Sequence, residues 1–557
     1  MLPSCRPLLL LAPLLWLSTA SWSQTPPDAG SLRQQIEQKR ELQLPPAAPA
    51  PRVMPPPEIQ PPSGMRVRVQ TFRFAGNSLL DARQLSAVVA DFEGRELGFD
   101  GLQRATDAVA AAYREAGWIV RVYLPEQDVS AGLITLQVIE ARFAGVRLEG
   151  NPSERVAPSE LQAWFTTHQA NGQPLNANAL DRALLLADDL PGVSVAGTLA
   201  PGAADGETAL VLQTTDEPFL YGDIGLDNTG ARSTGSNRLT ANLNINSPGG
   251  RGELVSLNGL HTQGSDYGRV AMTVPYGYNG LRIGASASSM KYKVIEGPGA
   301  NTAAQIEGSS SSMGLDWSYP LVRTRMHNMY LSGGLERKGY YTQDTQTRSD
   351  YESDSLRLSM SGNRFDNLGR GGANSASLQV LWGRLTNMQA HTQLDTIERQ
   401  YSKLSYSFSR QQTVSTDHSV LVSLQGQHAT QVLDSSEKFY IGGAQTVRAY
   451  PVSELGGERG QLLTAEWRWR LNHAWVLTTF TDLGRVTSLP PTSSGQKTAK
   501  QLRGQGLSLG WQGPMGVSTR LTWSRRSGNN PQPTNTGTDG DGTLKFNRLW
   551  LTNNVAF

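Results

Sequence analysis

The chain has 557 residues, a formal net charge of +2, 38% hydrophobic residues and 57 glycines. A near-neutral charge gives no bulk electrostatic case for binding nucleic acid. The single cysteine, Cys5, leaves no disulfide framework and no thiol nucleophile beyond the first few residues. The low apolar content is poor for a soluble core of this length. It fits a barrel whose strands show only alternate residues to lipid.

Residues 1–23 hold one early charge, Arg6, an apolar run from Leu8 to Leu17, then small residues. This pattern predicts a secretory signal peptide. No other apolar run approaches the roughly 18–20 residues of a spanning helix, so the chain is expected to cross a membrane only as a closed sheet. Residues 29–43 predict a short amphipathic helix, with Leu32 and Ile36 on one face. It is either a frayed, solvated helix or a plug that docks elsewhere. Residues 44–64 follow as a spacer, with nine prolines between positions 45 and 62. Proline fixes φ and lacks an amide donor, so the spacer should be extended and semi-rigid.

From Met65 the texture is α/β. Residues 66–75 alternate as a strand, Asp81 and Asp100 each stand where a helix cap is expected, and strands are expected at 118–124 and 133–141. The order β-α-α-β-β then recurs, with Gly150-Asn151 repeating Gly76-Asn77. Two units, 65–141 and 142–217, form an internal repeat of small two-layer domains.

After Pro218 helical periodicity gives way to alternation, as in Leu356, Leu358 and Met360 against Arg357, Ser359 and Ser361. Eight of the twelve tryptophans lie in this half, many at strand ends, as in an interfacial girdle. Residues 218–557 allow about sixteen strands if a membrane-crossing strand takes roughly 9–11 residues. The final stretch alternates Leu549, Leu551, Asn553, Val555 and Phe557. A terminal aromatic on an alternating strand is an address on outer-membrane barrels.

One loop is unusually rich in glycine and aromatics: FYIGGAQTVRAY at 439–450, followed by Gly456-Gly457 and Gly460. In the next strand Glu466, Arg468 and Arg470 share one face, and Trp467 and Trp469 the other. Lipid must take the aromatic face, so the charges, with Arg520, are expected in the lumen. Phe480, Asp482 and Gly484 likewise share a face that an aspartate should turn inward. Arg448 is then either a solvated loop residue or a buried one that needs a carboxylate partner.

The whole chain after the signal resembles the transporters of two-partner secretion, which join polypeptide-transport-associated (POTRA) domains to an outer-membrane barrel. In that family a (V/I)RG(Y/F) loop motif folds into the lumen and its arginine meets the aspartate of an FxDxG wall motif. Here the first motif is Val447, Arg448, Ala449 and Tyr450, with alanine for the usual glycine. The second, Phe480, Asp482 and Gly484, is intact. The resemblance implies a mainly β protein: two β-α-α-β-β POTRA domains and a 16-stranded transmembrane barrel with an in-folded loop around 439–460. It also implies an outer-membrane location in a Gram-negative bacterium, with the POTRA domains in the periplasm. The partners it implies are one large exoprotein, captured through its N-terminal secretion domain, outer-membrane lipid, and the barrel assembly machinery for insertion. Strand edges at 118–124 and 192–200 suit β-augmentation of such a chain.

An insertase that folds other barrels shares this architecture and is the alternative. A diffusion porin lacks the periplasmic repeat. No catalytic constellation, cofactor motif or paired metal spacing appears, so no enzyme activity, cofactor or metal is expected. The TDGDG of 538–542 resembles a calcium loop but lacks the later glutamate.

Overall fold

The computed structural model describes residues 28–37, 66–296, 305–345, 347–389, 399–489 and 498–557. The signal at 1–23, the proline spacer at 44–64 and the second half of the 29–43 segment lie outside the described residues.

The first periplasmic unit begins with a surprise. The expected strand over 66–75 is two strands. Arg66–Arg68 pairs with Glu96–Gly98 as a ribbon, and Thr71–Ala75 joins Leu133–Glu140 in parallel. Between them the amide of Val69 bonds Arg95 and that of Gln70 bonds Gly132, so the chain changes partners there. Leu133–Glu140 is central and pairs on its other side with Val120–Tyr123. Helix α1 is Ala29–Glu37, and in this unit α2 is Ala82–Val89 and α3 is Phe99–Glu115. Leu85, Leu102, Val109 and Tyr113 of the latter pair pack on Phe72, Ile134 and Leu136 of the sheet. Asp81 caps α2 through a capping box with Gln84. Asp100 does not cap α3. Gly98 holds that position, and Asp100 sits in the first turn, where a carboxylate complements the helix dipole.

The second unit repeats the plan. Its sheet runs Arg142–Glu149, Glu207–Asp216, Val193–Pro201, backed by α4 (Pro158–His168) and α5 (Ala177–Asp188). The repeat extends to a polar device. In the first unit Glu140 accepts from the amides of Ser78 (2.7 Å) and Leu79 (2.8 Å). In the second, Asp216 accepts from the Ser153 hydroxyl (2.5 Å) and the Glu154 amide (3.0 Å). In each unit a carboxylate at the end of the last strand pins the turn after the first.

Sixteen antiparallel strands, from Leu220–Asp227 to Asn547–Ala556, close into a barrel. The seam pairs Thr552–Ala556 with Asp227–Asp223, and Phe557 exchanges two backbone bonds of 3.0 Å with Gly222. The terminal aromatic thus helps seal the cylinder. Leu356, Leu358, Met360, Trp467 and Trp469 are exposed on the outer wall, where lipid takes the place of solvent. Trp550 departs from the girdle pattern: it is buried and faces inward.

The second unit is tied to the turns at the barrel's near end. Arg323 grips Asp189 with two bonds (2.7 and 2.8 Å), Arg325 pairs with Asp181, and Arg182 donates to the Pro320 carbonyl. Fork-shaped pairs of this kind fix orientation as well as adding attraction.

Candidate functional site: the occluded lumen

Two segments fill the barrel interior. The first is the loop 439–457, which forms a short hairpin (Phe439–Ile441 with Leu455–Gly457) inside the lumen. Its docking surface is locally apolar. Ile441, Val447, Ala449, Tyr450 and Leu455 of the loop cluster with Leu462, Val486 and Leu502 of the wall. Each large aliphatic side chain buried this way contributes about 1.5–3 kcal/mol. Close approach is possible because the wall carries glycine there. A Cβ on Gly484 would come within 2.8 Å of Val447 and 2.9 Å of Ile441.

Arg448 reaches the wall beside this cluster. Its Nε and Nη2 donate to the two oxygens of Asp482, both at 2.8 Å, and its own amide donates to Asp482 at 3.1 Å. Nη1 donates to Glu466 at 3.0 Å, whose other oxygen accepts from Arg468. The guanidinium lies 3.3 Å from the centroid of the Phe480 ring. Asp482 is 0% exposed and Arg448 5%. Removing two charges from water is costly, and the cost is met here only by full hydrogen bonding. The Arg448 carbonyl is bonded too, by the Ser524 hydroxyl (2.6 Å) and the Trp550 indole (2.8 Å).

The structure therefore brings Arg448, Phe480, Asp482, Gly484 and Glu466 together, with Val447, Ala449 and Tyr450 packed around them. Ala449 is not among the residues with positive φ, so alanine is accommodated there without backbone strain. Arg468 is half-buried beside Glu466, while Arg470 and Arg520 line an open part of the lumen nearer the periplasm. The TDGDG segment also turns inward, and arginines hold its carboxylates. Asp539 pairs with Arg526 (2.8 Å) and Arg548 (3.2 Å), and Asp541 with Arg548 (3.0 Å).

The second segment is α1. Ala29 and Leu32 join a buried cluster with Tyr292, Tyr340, Tyr351 and Leu381 of the inner wall. Arg33 donates to Ser312 (2.7 Å) and Glu336 (3.1 Å), and Tyr267 donates to Glu37 (3.1 Å). The helix rests on the turn Ser435–Glu437, where a Cβ on Gly30 would stand 2.7 Å from Ser436. Glu437 is itself clamped by Lys403 (2.7 Å) and Lys338 (3.3 Å). A cavity of about 450 Å³ separates α1 from residues 442–445 of the loop.

Sequence reasoning missed three parts of this site. Leu462, Val486 and Leu502 occupy lumen-facing positions, and apolar residues on a wall expected to be polar were a readable signal. The inward turn of Trp550 was also readable, since Leu549 and Leu551 flank it on the lipid face. The seat of α1 on Ser435–Glu437 had no local signal.

The family model of the haemolysin secretion/activation protein ShlB/FhaC/HecB matches residues 206–522, and that of the ShlB-type POTRA domain matches residues 67–141. The heme/hemopexin transporter protein HuxB of Haemophilus influenzae is 24% identical over 468 residues, covering 79% of this chain and 80% of the relative. The outer membrane transporter CdiB of Dickeya dadantii is 24% identical over 479 residues, covering 82% and 80%. The solved structure of CdiB from Escherichia coli superposes with a TM-score of 0.71 at 20% identity, over 95% of this chain and 96% of that one. With its closed barrel, its POTRA repeat and a family match over more than half its length, the chain belongs to the ShlB/FhaC/HecB haemolysin secretion/activation family of outer-membrane transporters.

Proposed function

We propose that the chain carries one large partner exoprotein, unfolded, from the periplasm through its barrel to the cell surface. The family match supports this reading over the barrel-assembly insertase. The observation that carries the mechanism is the double occupancy of the lumen. α1 and the loop 439–457 each dock by a few specific polar contacts and a small apolar cluster, a design suited to reversible exit. In this reading residues 1–23 are the export signal and 29–43 the plug. Residues 44–64 are the tether that lets the plug leave, and Arg448 and Asp482 set the register of the loop.

Capture is assigned to the second POTRA unit. Among the described residues the strand Val193–Pro201 pairs only with Glu207–Asp216, so its other edge is open to an extended peptide. In the first unit the chain entering Val120–Tyr123 is partly occupied: Ile119 donates to Leu175, and Trp118 bridges Asn176. Site-specific photocrosslinkers along Val193–Pro201 in growing cells test the assignment. The expected result is a single high-mass adduct with the exoprotein. A ladder of many nascent barrel proteins would instead establish the insertase.

A further inference from the structure

The TDGDG segment lies in the last external loop, residues 527–546, which joins the strands Val517–Arg526 and Asn547–Ala556. This loop meets the in-folded loop 439–457 at two points. The first is Glu454. Both of its oxygens accept from the Gly540 amide at 3.0 Å, and Oε1 also accepts from the Asn530 side chain. The second is Arg526, at the outer end of its strand. Its guanidinium lies 4.4 Å from the centroid of Phe546 in the last loop and 5.7 Å from that of Tyr450 in the in-folded loop. Its Nη1 donates to Asp539 at 2.8 Å. Asn530 donates to Asp539 as well, at 3.0 Å, so one side chain joins the two points.

This outer contact differs in kind from the pair at the loop tip. Every guanidinium nitrogen of Arg448 donates to a carboxylate. The Arg526 side chain is only 1% exposed, yet its Nε and Nη2 have no hydrogen-bond partner. Glu454 is buried too, and among the described residues its donors are all neutral. Buried donors left unbonded, and a buried carboxylate without a cation, weaken the closed arrangement. The tip is held by a fully bonded ion pair. The outer contact is held by neutral hydrogen bonds and ring faces across two separate loops, and it is the easier of the two to part.

We infer that the last external loop is a strap on the in-folded loop, with Glu454, Asn530 and Arg526 as its positioning residues. Closed, it keeps loop 439–457 in the lumen; passage requires the two loops to separate. The inference rests on the transport reading above, but one of its two readouts does not need an exoprotein.

Glu454→Cys with Asn530→Cys in the full chain removes the first point and supplies two thiols. The only native cysteine, Cys5, lies in the proposed export signal. In planar bilayers the unbridged variant should open several-fold more often than the wild type. A short bis-methanethiosulfonate bridge between the thiols should bring openings below the wild-type frequency. In growing cells the same bridge should lower secretion several-fold, and reductant should restore it. A control bridge within the last loop, between Thr534→Cys and Thr536→Cys, should leave both readouts as in the wild type, since those hydroxyls already lie 3.0 Å apart. Heat-modifiable gel mobility verifies that each variant is a folded barrel. Unchanged openings in the unbridged variant, full secretion with the loops bridged, or an equal loss from the control bridge each overturns the strap. Secretion by the unbridged variant reports on transport itself, so failure of the transport reading shows separately.

Discussion

Asp482 accepts three hydrogen bonds from one residue, Arg448: from its backbone amide and from two nitrogens of its guanidinium. The loop tip is thereby fixed in position and in rotation at once. Asp482→Ala leaves a buried guanidinium with Glu466 alone, and Arg448→Ala leaves a buried carboxylate with no cation, held only by the backbone amide of position 448 and the Thr464 hydroxyl. Breaking a buried pair from one side costs about 3–5 kcal/mol. Either change should lower the thermal transition of the purified barrel and reduce secretion. Arg448→Lys, which keeps the charge but loses the fork, should recover only part of both. Secretion unchanged in all three variants would show that the pair has no role in transport.

The alanine at 449 occupies space that the opposite wall leaves free. A Cβ on Gly504 would come within 2.6 Å of the Ala449 Cβ, while its next neighbours lie at 3.5 Å or more. Gly504→Ala should therefore displace the loop and impair secretion. Ala449→Gly alone should be mild, costing about 0.5–1 kcal/mol through backbone entropy. Joined to Gly504→Ala it should restore secretion, because the methyl group has only changed sides. A double variant no better than Gly504→Ala alone would refute this account of the family departure.

How much of this was legible follows from the range of each interaction. Alternation is local, so the inward set Glu466, Phe480, Asp482 and Gly484 could be assigned from period two alone. The helix at 29–37 was legible as a helix, but its seat was not. Its contacts lie 230 to 404 positions away in sequence, at Tyr267, Ser312, Glu336 and Lys438, and each of those residues is unremarkable where it stands. The break at Val69 and Gln70 was hidden for a related reason: both flanking segments alternate correctly, and only the change of hydrogen-bond partner separates them. Asp100 was misplaced by two residues because a carboxylate in the first turn serves the helix dipole nearly as well as one at the cap.

Removal of α1 tests the plug. Deleting residues 29–37 takes away the Leu32 packing and the Arg33 bonds to Ser312 and Glu336, so single-channel conductance in planar bilayers should rise. Arg33→Glu, which places a carboxylate against Glu336, should raise the open probability without changing the conductance of the open state. A deletion variant with wild-type conductance would mean that α1 does not limit the pore.

The free edge of Val193–Pro201 offers a specific block. The Val195 amide points away from the sheet, where Asp188 takes it at 2.8 Å. By period two the amides of Gly197 and Leu199 share that direction. Proline is tolerated on an edge when its missing amide faced outward. Leu199→Pro should leave the POTRA unit folded and remove one donor to an incoming peptide, lowering secretion several-fold. Normal circular dichroism with full secretion would move capture to another edge.

The first POTRA unit should loosen in acid, and Glu140 is the reason. Partial burial is the largest influence on this carboxyl and pushes its pKa up. The bonds from Ser78 and Leu79, with the Tyr113 hydroxyl at 3.0 Å, together outweigh it and hold the pKa below its ordinary 4.5. A carboxylate whose pKa is lower folded than unfolded stabilises the fold in full above the unfolded value, and that contribution is lost as pH falls through the folded value. Opening of the 76–81 turn and α2 should therefore increase only below about pH 4.5. Hydrogen exchange of the full chain in detergent, followed over 76–89, would detect it. Glu140→Gln keeps the size of the side chain but never carries the charge. It should expose the same segment at neutral pH and flatten its dependence on acid. An acid-induced opening that persists undiminished in Glu140→Gln would place the titrating group elsewhere. Asp216, in the equivalent position of the second unit, is the first residue to substitute next, because it makes the same kind of contact to Ser153 and Glu154.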